Sequence, residues 1–186
     1  MSDLGLTIAG VSHSLPNSYN EKKGAVVSIT PTVATGAHTT GDILFISTAL
    51  PKAVREKGGI SKLVNITGTC LSSNTVESDM IFHTVSKSIG TIHNAPNISD
   101  TEYISMGYLG HTLVQDGDWS ILSSTHVTGG IYVMQCLESH ADRSLPLMIK
   151  APEDSTTIYV TSIIRDTSNL TSTSDLTYNF HFEYMS

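Results

Sequence analysis

Histidine is the residue type in this chain best suited to metal binding or acid–base chemistry, and there are eight of them. No pair has the HxH, HExxH or CxxC spacing that would place two ligands together. On the last predicted strand, His181 and Glu183 share one face, but two ligands alone do not make a metal site. The other candidates are spread over the middle of the chain: His83, His93, His111, His126 and His140. We therefore expect no metal and no cofactor.

Carboxylates and serines offer no better arrangement for catalysis. The stretch Asp116-Gly-Asp118 resembles part of a calcium loop, but its glycine and a terminal Glu do not fall at EF-hand positions, so a tight turn is favoured. A glycan hydrolase would need two carboxylates about the scissile bond. The candidates are close only in sequence: Glu102, Asp116, Asp118 and Glu138. No serine stands in a Gly-x-Ser-x-Gly elbow. We expect no catalytic residues and no enzyme.

Aromatic residues are the remaining candidates for a binding site. Trp119 and the Tyr/Phe series near the C-terminus could form a surface on which sugar rings stack. The alternating spacing of that series favours core packing instead. A sugar-stacking surface around Trp119 is therefore the less favoured interpretation.

The elements that must position all these residues are short β-strands. Leu176, Tyr178, Phe180, Phe182 and Tyr184 alternate with polar residues, which predicts a strand with one apolar face. The turn-rich segment 165–175 before it predicts a hairpin with the strand Thr156–Ile164. Other predicted strands are Ala25–Val33, Ile43–Ser47, Ser61–Thr69, Asp79–Val85, Glu102–Tyr108, Trp119–Ser123, Ile131–Leu137 and Leu145–Ile149. No amphipathic helix is convincing, and the helix-like stretch Pro51–Lys57 is short.

This pattern predicts an all-β fold, an antiparallel, jelly-roll-like β-sandwich over residues 25–186. Residues 1–24 carry few periodic apolar positions, which predicts an extended N-terminal arm that orders against a neighbouring molecule.

Composition limits the function further. The net charge is −7 and no Lys/Arg stripe occurs, which disfavours nucleic-acid binding. The sequence shows no signal peptide and no apolar run long enough to span a membrane. We therefore expect that the protein is made in a cytoplasm and does not associate with a membrane. Cys70 and Cys136 lie in separate segments; two buried free thiols are favoured, but a disulfide remains open.

Several stretches resemble a family of small tailed-phage virion structural proteins, the head decoration or cement proteins. Ile158–Asp166 is similar to the family's "LYVALVVRG" strand, and Ser174–Phe182 to its closing "DLTLRLGF" strand. Thr40–Leu44 is similar to its "AGDVL" opening, and Leu50–Gly59 to the Pro, Val-Arg and Gly-Gly stretch that follows. Asn94–Asp100 resembles the family's Asn-x-Ala and Ser-Asp middle. The segment Ile131–Leu137 has no counterpart, and the closing strand is more aromatic than the pattern.

The resemblance implies a protein that decorates the capsid exterior of a virion, binds the major capsid protein and stabilises the head. A homo-oligomer, either a trimer or a dimer, is expected. The alternative is a receptor- or carbohydrate-binding module of a phage tail fibre, spike or baseplate, for which Trp119 is the candidate platform.

Overall fold

A computed structural model describes residues 5–8, 11–14, 23–72, 74–123, 131–136 and 145–185. The strands run in chain order as β1 (Gly5–Ile8), β2 (Val11–Ser14), β3 (Gly24–Ile29), β4 (Gly36–His38), β5 (Ile43–Leu50), β6 (Ile60–Cys70) and β7 (Ser78–His83). A helix, α1 (Asp100–Ser105), follows. The remaining strands are β8 (Tyr108–Val114), β9 (Trp119–Ser123), β10 (Ile131–Cys136), β11 (Leu147–Lys150), β12 (Ile158–Ile164), β13 (Ser168–Leu170) and β14 (Leu176–Met185).

Two antiparallel sheets form a β-sandwich, which confirms the predicted fold class. The first sheet has the order β3-β14-β6-β10-β9, with β11 also paired to β6, and the second has the order β5-β12-β7-β8. We number the eight principal strands along the chain, leaving out β9, β11 and the four strands of the two-stranded sheets, β1, β2, β4 and β13. The two sheets then read first-eighth-third-sixth and second-seventh-fourth-fifth, which is the jelly-roll order of two interlocked Greek keys.

The core lies between the two sheets, and β14 shows how the sequence builds it. Tyr178 and Phe180 of this strand are fully buried, as the alternation predicted. Phe180 meets Phe82 of the opposite sheet edge-to-face, with ring centroids 6.0 Å apart. On the outer face of β14 the half-buried Thr177 hydroxyl lies 3.0 Å from the hydroxyl of Thr30, the residue that follows β3. One strand thus supplies an aromatic inner face and a polar outer face.

The predicted hairpin between the last two long strands is wrong. β12 pairs with β5 and β7 of the second sheet, whereas β14 pairs with β3 and β6 of the first. Segment 165–175 therefore crosses from one sheet to the other. The reason is that both strands carry bulky apolar inner faces, and such faces are best buried against each other from opposite sheets.

The predicted strand Glu102–Tyr108 is also wrong over most of its length. Residues 100–105 form α1, and the strand begins only at Tyr108. Ser99 caps this helix, and its side chain and backbone exchange hydrogen bonds with Glu102 in a capping box. This Ser-x-x-Glu signature stands in the sequence and would have identified the helix start.

The register of the first sheet answers the question of the two cysteines. Cys70 lies opposite Tyr132, while Cys136 lies opposite Ile66, four residues further along β6. At about 3.3 Å per residue their Cα atoms are at least roughly 13 Å apart, too far for a disulfide. Cys70 is accordingly a free, buried thiol, and burial raises its pKa.

The arm predicted over residues 1–24 falls largely outside the described residues. Within it, β1 and β2 pair as a two-stranded antiparallel ladder, and the sandwich itself begins with β3 at Gly24.

Candidate interaction surface

The connection between β7 and β8, residues 84–107, packs on the outer face of the second sheet. Ile89 and Met106 of this connection are buried in a small apolar cluster with Ile43 of β5. Ile98 and Ile163 are partly buried against the same cluster. Because Ile163 alternates with the core residues of β12, it points away from the sandwich core. The connection is therefore a packed layer, with its own apolar anchor.

His83, at the end of β7, fixes the start of this layer. Its ring is fully buried, with Nδ1 2.8 Å from the Val85 carbonyl oxygen and Nε2 3.0 Å from the Thr161 hydroxyl. A carbonyl oxygen only accepts, so Nδ1 donates to it and Nε2 accepts from Thr161. Burial lowers the pKa of His83, which keeps the ring neutral. This predicted metal candidate is thus a structural residue that holds the backbone at Val85.

The helix α1 projects from this layer and buries none of its own residues. Lys87 stabilises the helix in addition to the capping box. Its ammonium group lies 3.6 Å from Glu102 Oε1 and donates a hydrogen bond to the Ser105 hydroxyl at 3.3 Å. The hydrogen bond from the Ser99 backbone, with smaller effects from the Ser99 hydroxyl and Lys87, lowers the pKa of Glu102. Local polar contacts therefore form this helix, rather than the burial of an apolar stripe that usually stabilises one.

The apolar side chains of α1 and its surroundings face solvent together. Ile104 is 76% exposed, the highest value among the large hydrophobic residues described, and Tyr103 is 39% exposed. Next to the helix, Val85 is 48% and Tyr108 is 44% exposed. We name these four residues, with the exposed His111, the α1 surface. Exposed apolar groups gathered in this way commonly mark an interaction site.

The rings of the α1 surface are held in a fixed arrangement. The Tyr103 and Tyr108 centroids are 6.0 Å apart, and those of Tyr108 and His111 are 6.5 Å apart. The Tyr108 hydroxyl lies 2.7 Å from His111 Nδ1. Burial raises the pKa of Tyr108, and Tyr103 and Asp79 add to the effect, so its hydroxyl stays protonated at neutral pH. Tyr108 therefore has two rings as near neighbours, those of Tyr103 and His111.

The turn that joins α1 to β8 is equally constrained. Gly107 has a φ of +67°, and a Cβ at this position would collide with the Thr84 hydroxyl. The Thr84 and Val85 amides both donate to the Met106 carbonyl, at 3.2 and 3.1 Å. The surface is thus largely ordered before any partner arrives, which reduces the entropy lost on binding.

The other histidines and acids singled out from the sequence are not brought together. The His93 ring packs against the buried His38 ring with centroids 4.5 Å apart and planes tilted by 41°, while His181, on the outer face of β14, contacts Thr67. Asp116–Asp118 forms a short 3₁₀ turn, as the tight-turn interpretation expected. His126, His140 and Glu138 lie outside the described residues. Among the residues that are described, no three His, Cys, Asp or Glu side chains are placed to hold a metal ion.

Trp119 is not an exposed platform. It is only 8% exposed and belongs to the core, with Nε1 donating to the Val76 carbonyl oxygen at 3.1 Å. The core interpretation of this residue is confirmed. The sequence did not indicate that the exposed aromatic rings would be Tyr103 and Tyr108, because their exposure depends on a helix that was predicted as a strand.

In the part of the chain that the structure describes, no helix is long and apolar enough to cross a membrane. Comparison with known proteins gives no match to a family model, a curated protein or a solved structure.

Proposed function

We propose that this protein is a capsid decoration protein, which binds the outer surface of a major capsid lattice and stabilises the head without catalysis. The observation that carries the proposal is the α1 surface, a preordered group of exposed Tyr, Ile and Val side chains on and beside a helix that buries none of its own residues. Tyrosine is enriched among the residues that contribute most to protein interfaces. The jelly-roll order adds support by analogy, since that fold recurs in viral capsid domains.

The size of the surface is consistent with a lattice partner. Its five side chains offer well under the roughly 800 Å² per partner of a stable two-protein interface. A single contact of this size would be weak, but a repeating shell binds many copies, and an oligomer binds through several subunits at once. The proposal therefore includes a homo-oligomer on the capsid exterior.

The test is binding of purified protein to undecorated heads, followed by cosedimentation. Replacing two anchors at once, with Tyr108→Ala and Ile104→Ala, should weaken binding at least about tenfold, because each truncated anchor commonly costs 1 kcal/mol or more. Val26→Ser is the matched control, since Val26 is 59% exposed on the opposite sheet. If the double variant saturates heads like the unmodified protein, or if Val26→Ser is equally harmful, the proposed surface is wrong.

A second candidate function rests on the same rings. Tyr103, Tyr108 and His111 form a row of aromatic side chains with polar tips, which suits a carbohydrate- or receptor-binding module. Glycan-array binding that is lost with Tyr108→Ala, combined with unchanged head binding by the same variant, would favour this candidate over decoration.

A further inference from the structure

One end of the first sheet gathers most of the positive charge of the chain. The sequence has ten Lys and Arg residues, and six of them lie at this end: Lys23, Lys52, Arg55, Lys57, Lys62 and Lys150. The Tyr184 amide donates to the Lys23 carbonyl oxygen at 2.8 Å, and the Tyr184 hydroxyl donates to the Lys52 carbonyl oxygen at 2.9 Å. Four acidic residues lie here as well: Glu56, Glu153, Asp154 and Glu183. Six basic and four acidic residues give this end a net charge of +2, in a chain whose net charge is −7.

Exposed apolar side chains lie among these charges on the outer face of the first sheet. Ile60 of β6 is 40% exposed and pairs with Met185 of β14, also 40% exposed. On its other side Ile60 pairs with Lys150 of β11, and Lys62 pairs with Met148, which is 50% exposed. A recess of about 260 Å³ opens beside Ile60 and Met185. We name these five residues the basic patch; its unbranched methionines can adapt to the shape of a partner.

The opposite end of the sandwich carries negative charge that no cation compensates. The loop that follows β6 leads to Glu77, and Asp116 and Asp166 line the same small recess. The hydrogen bonds of these carboxylates come from neutral groups, namely the Asp116 amide, the Thr75 hydroxyl and the Thr167 amide. No Lys or Arg among the described residues forms an ion pair with any of the three. Leu71, 37% exposed, adds an apolar side chain. We name Leu71, Glu77, Asp116 and Asp166 the acidic end.

The two charged regions cannot neutralise each other within one copy. β6 runs eleven residues from Ile60, in the basic patch, to Cys70, next to Leu71. A strand of this length separates its ends by roughly 35 Å. The Debye length at physiological ionic strength is only about 8 Å. Lys62 and Lys150 form no ion pair with another described residue either, so opposite charges are left over at both ends of the molecule.

We propose that the basic patch docks the acidic end of a second copy of this chain, so that copies associate head to tail. Lys62 and Lys150 then meet carboxylates, and the apolar side chains of the patch meet Leu71. Such a contact uses a different surface on each copy and gives a closed ring where the rotation allows it. The inference rests on the proposed function only for the role of this oligomer on a shell. The association itself needs no capsid and does not use Ile104 or Tyr108, so head binding and self-association can fail separately.

Sedimentation velocity of the purified protein tests the association in the absence of heads. We expect the average mass to rise with protein concentration at low ionic strength. Added NaCl should lower it again, because contacts between exposed charges are screened by salt. A parallel flotation assay with phosphatidylcholine–phosphatidylserine vesicles shows whether the patch binds an anionic lipid surface instead.

Charge reversal at either end identifies the two surfaces. Lys62→Glu with Lys150→Glu changes the patch, and Asp116→Lys with Asp166→Lys changes the acidic end. Each pair should weaken self-association at least about tenfold, because like charges then face each other across the contact. The four substitutions combined restore opposite charges and the original net charge of −7, so the combined variant should associate like the unmodified protein.

A matched control separates the local contact from net charge. Glu153→Lys with Asp154→Lys changes the net charge as much as the pair at the acidic end, but at two exposed positions beside the basic patch. This control should not weaken association. The urea midpoint of every variant, followed by Trp119 fluorescence, establishes that a loss of association is not a loss of folding.

Three results would overturn the proposal. The first is a protein that stays monomeric at every concentration and salt level. The second is an association that neither charge-reversed pair weakens, or that the combined variant does not restore, which would place the contact elsewhere. The third is a monomer that binds the anionic vesicles and loses them with Lys62→Glu and Lys150→Glu, which would make the patch a lipid-binding surface.

Discussion

Truncation of Phe180 to Ala tests whether the alternation of β14 builds the core as described. Phe180 is fully buried, contacts Phe82 of the opposite sheet edge-to-face, and has the Tyr178 ring 6.4 Å away. Phe→Ala changes in cores cost about 3–5 kcal/mol, and paired aromatic rings place this site toward the upper end. We therefore expect a loss of about 4–5 kcal/mol in the free energy of unfolding.

The matched control is Thr177→Ala, three positions earlier on the same strand and on its outer face. Its side chain is half-buried, and the substitution removes one hydroxyl contact, to Thr30, which is worth about 1 kcal/mol. A domain with a total stability of roughly 5–15 kcal/mol could fail to fold with Ala at position 180. Phe180→Leu, with an expected loss of about 1–2 kcal/mol, keeps the test informative in that event.

Equilibrium unfolding in urea measures these losses, with the fluorescence of Trp119 as the signal. Trp119 is the single tryptophan of the chain and is buried in the same core. The reasoning would be refuted by a loss below about 2 kcal/mol for Phe180→Ala, or by an equal loss in Thr177→Ala. Either result would mean that the inner and outer faces of β14 have been assigned incorrectly.

Three further predictions concern single groups. Because burial lowers the pKa of His83 below the ordinary histidine value of 6.5, the unfolded chain takes up a proton at this residue just below that pH while the folded chain does not. The stabilising effect of neutral His83 is thus complete above pH 6.5 and is lost as the pH falls toward the pKa of the folded state. The urea midpoint of His83→Gln should therefore decline less steeply with falling pH than that of the unmodified protein. Equal slopes for the two proteins would contradict this. Ser99→Ala should cost α1 about 1 kcal/mol, seen as faster amide exchange in the helix, whereas Thr101→Ala should not. Mass spectrometry of the folded protein under mild oxidation should find Cys70 and Cys136 without an intramolecular disulfide; a Cys70–Cys136 bond would show that the β6–β10 register is wrong.

The fold class could be predicted from the sequence because strand alternation is a local signal. Leu176–Tyr184 alternates so regularly that the strand and its inner face follow from the pattern alone. The partner of that strand does not follow in the same way. β14 and β12 are neighbours in the chain and lie in opposite sheets, since pairing depends on how all eight strands bury their inner faces together.

The α1 surface could be predicted only in part, for a different physical reason. Tyr103, Ile104 and Tyr108 read as a strand because their types favour one. The capping box at Ser99 and Glu102 overrides that preference over one and a half turns of helix.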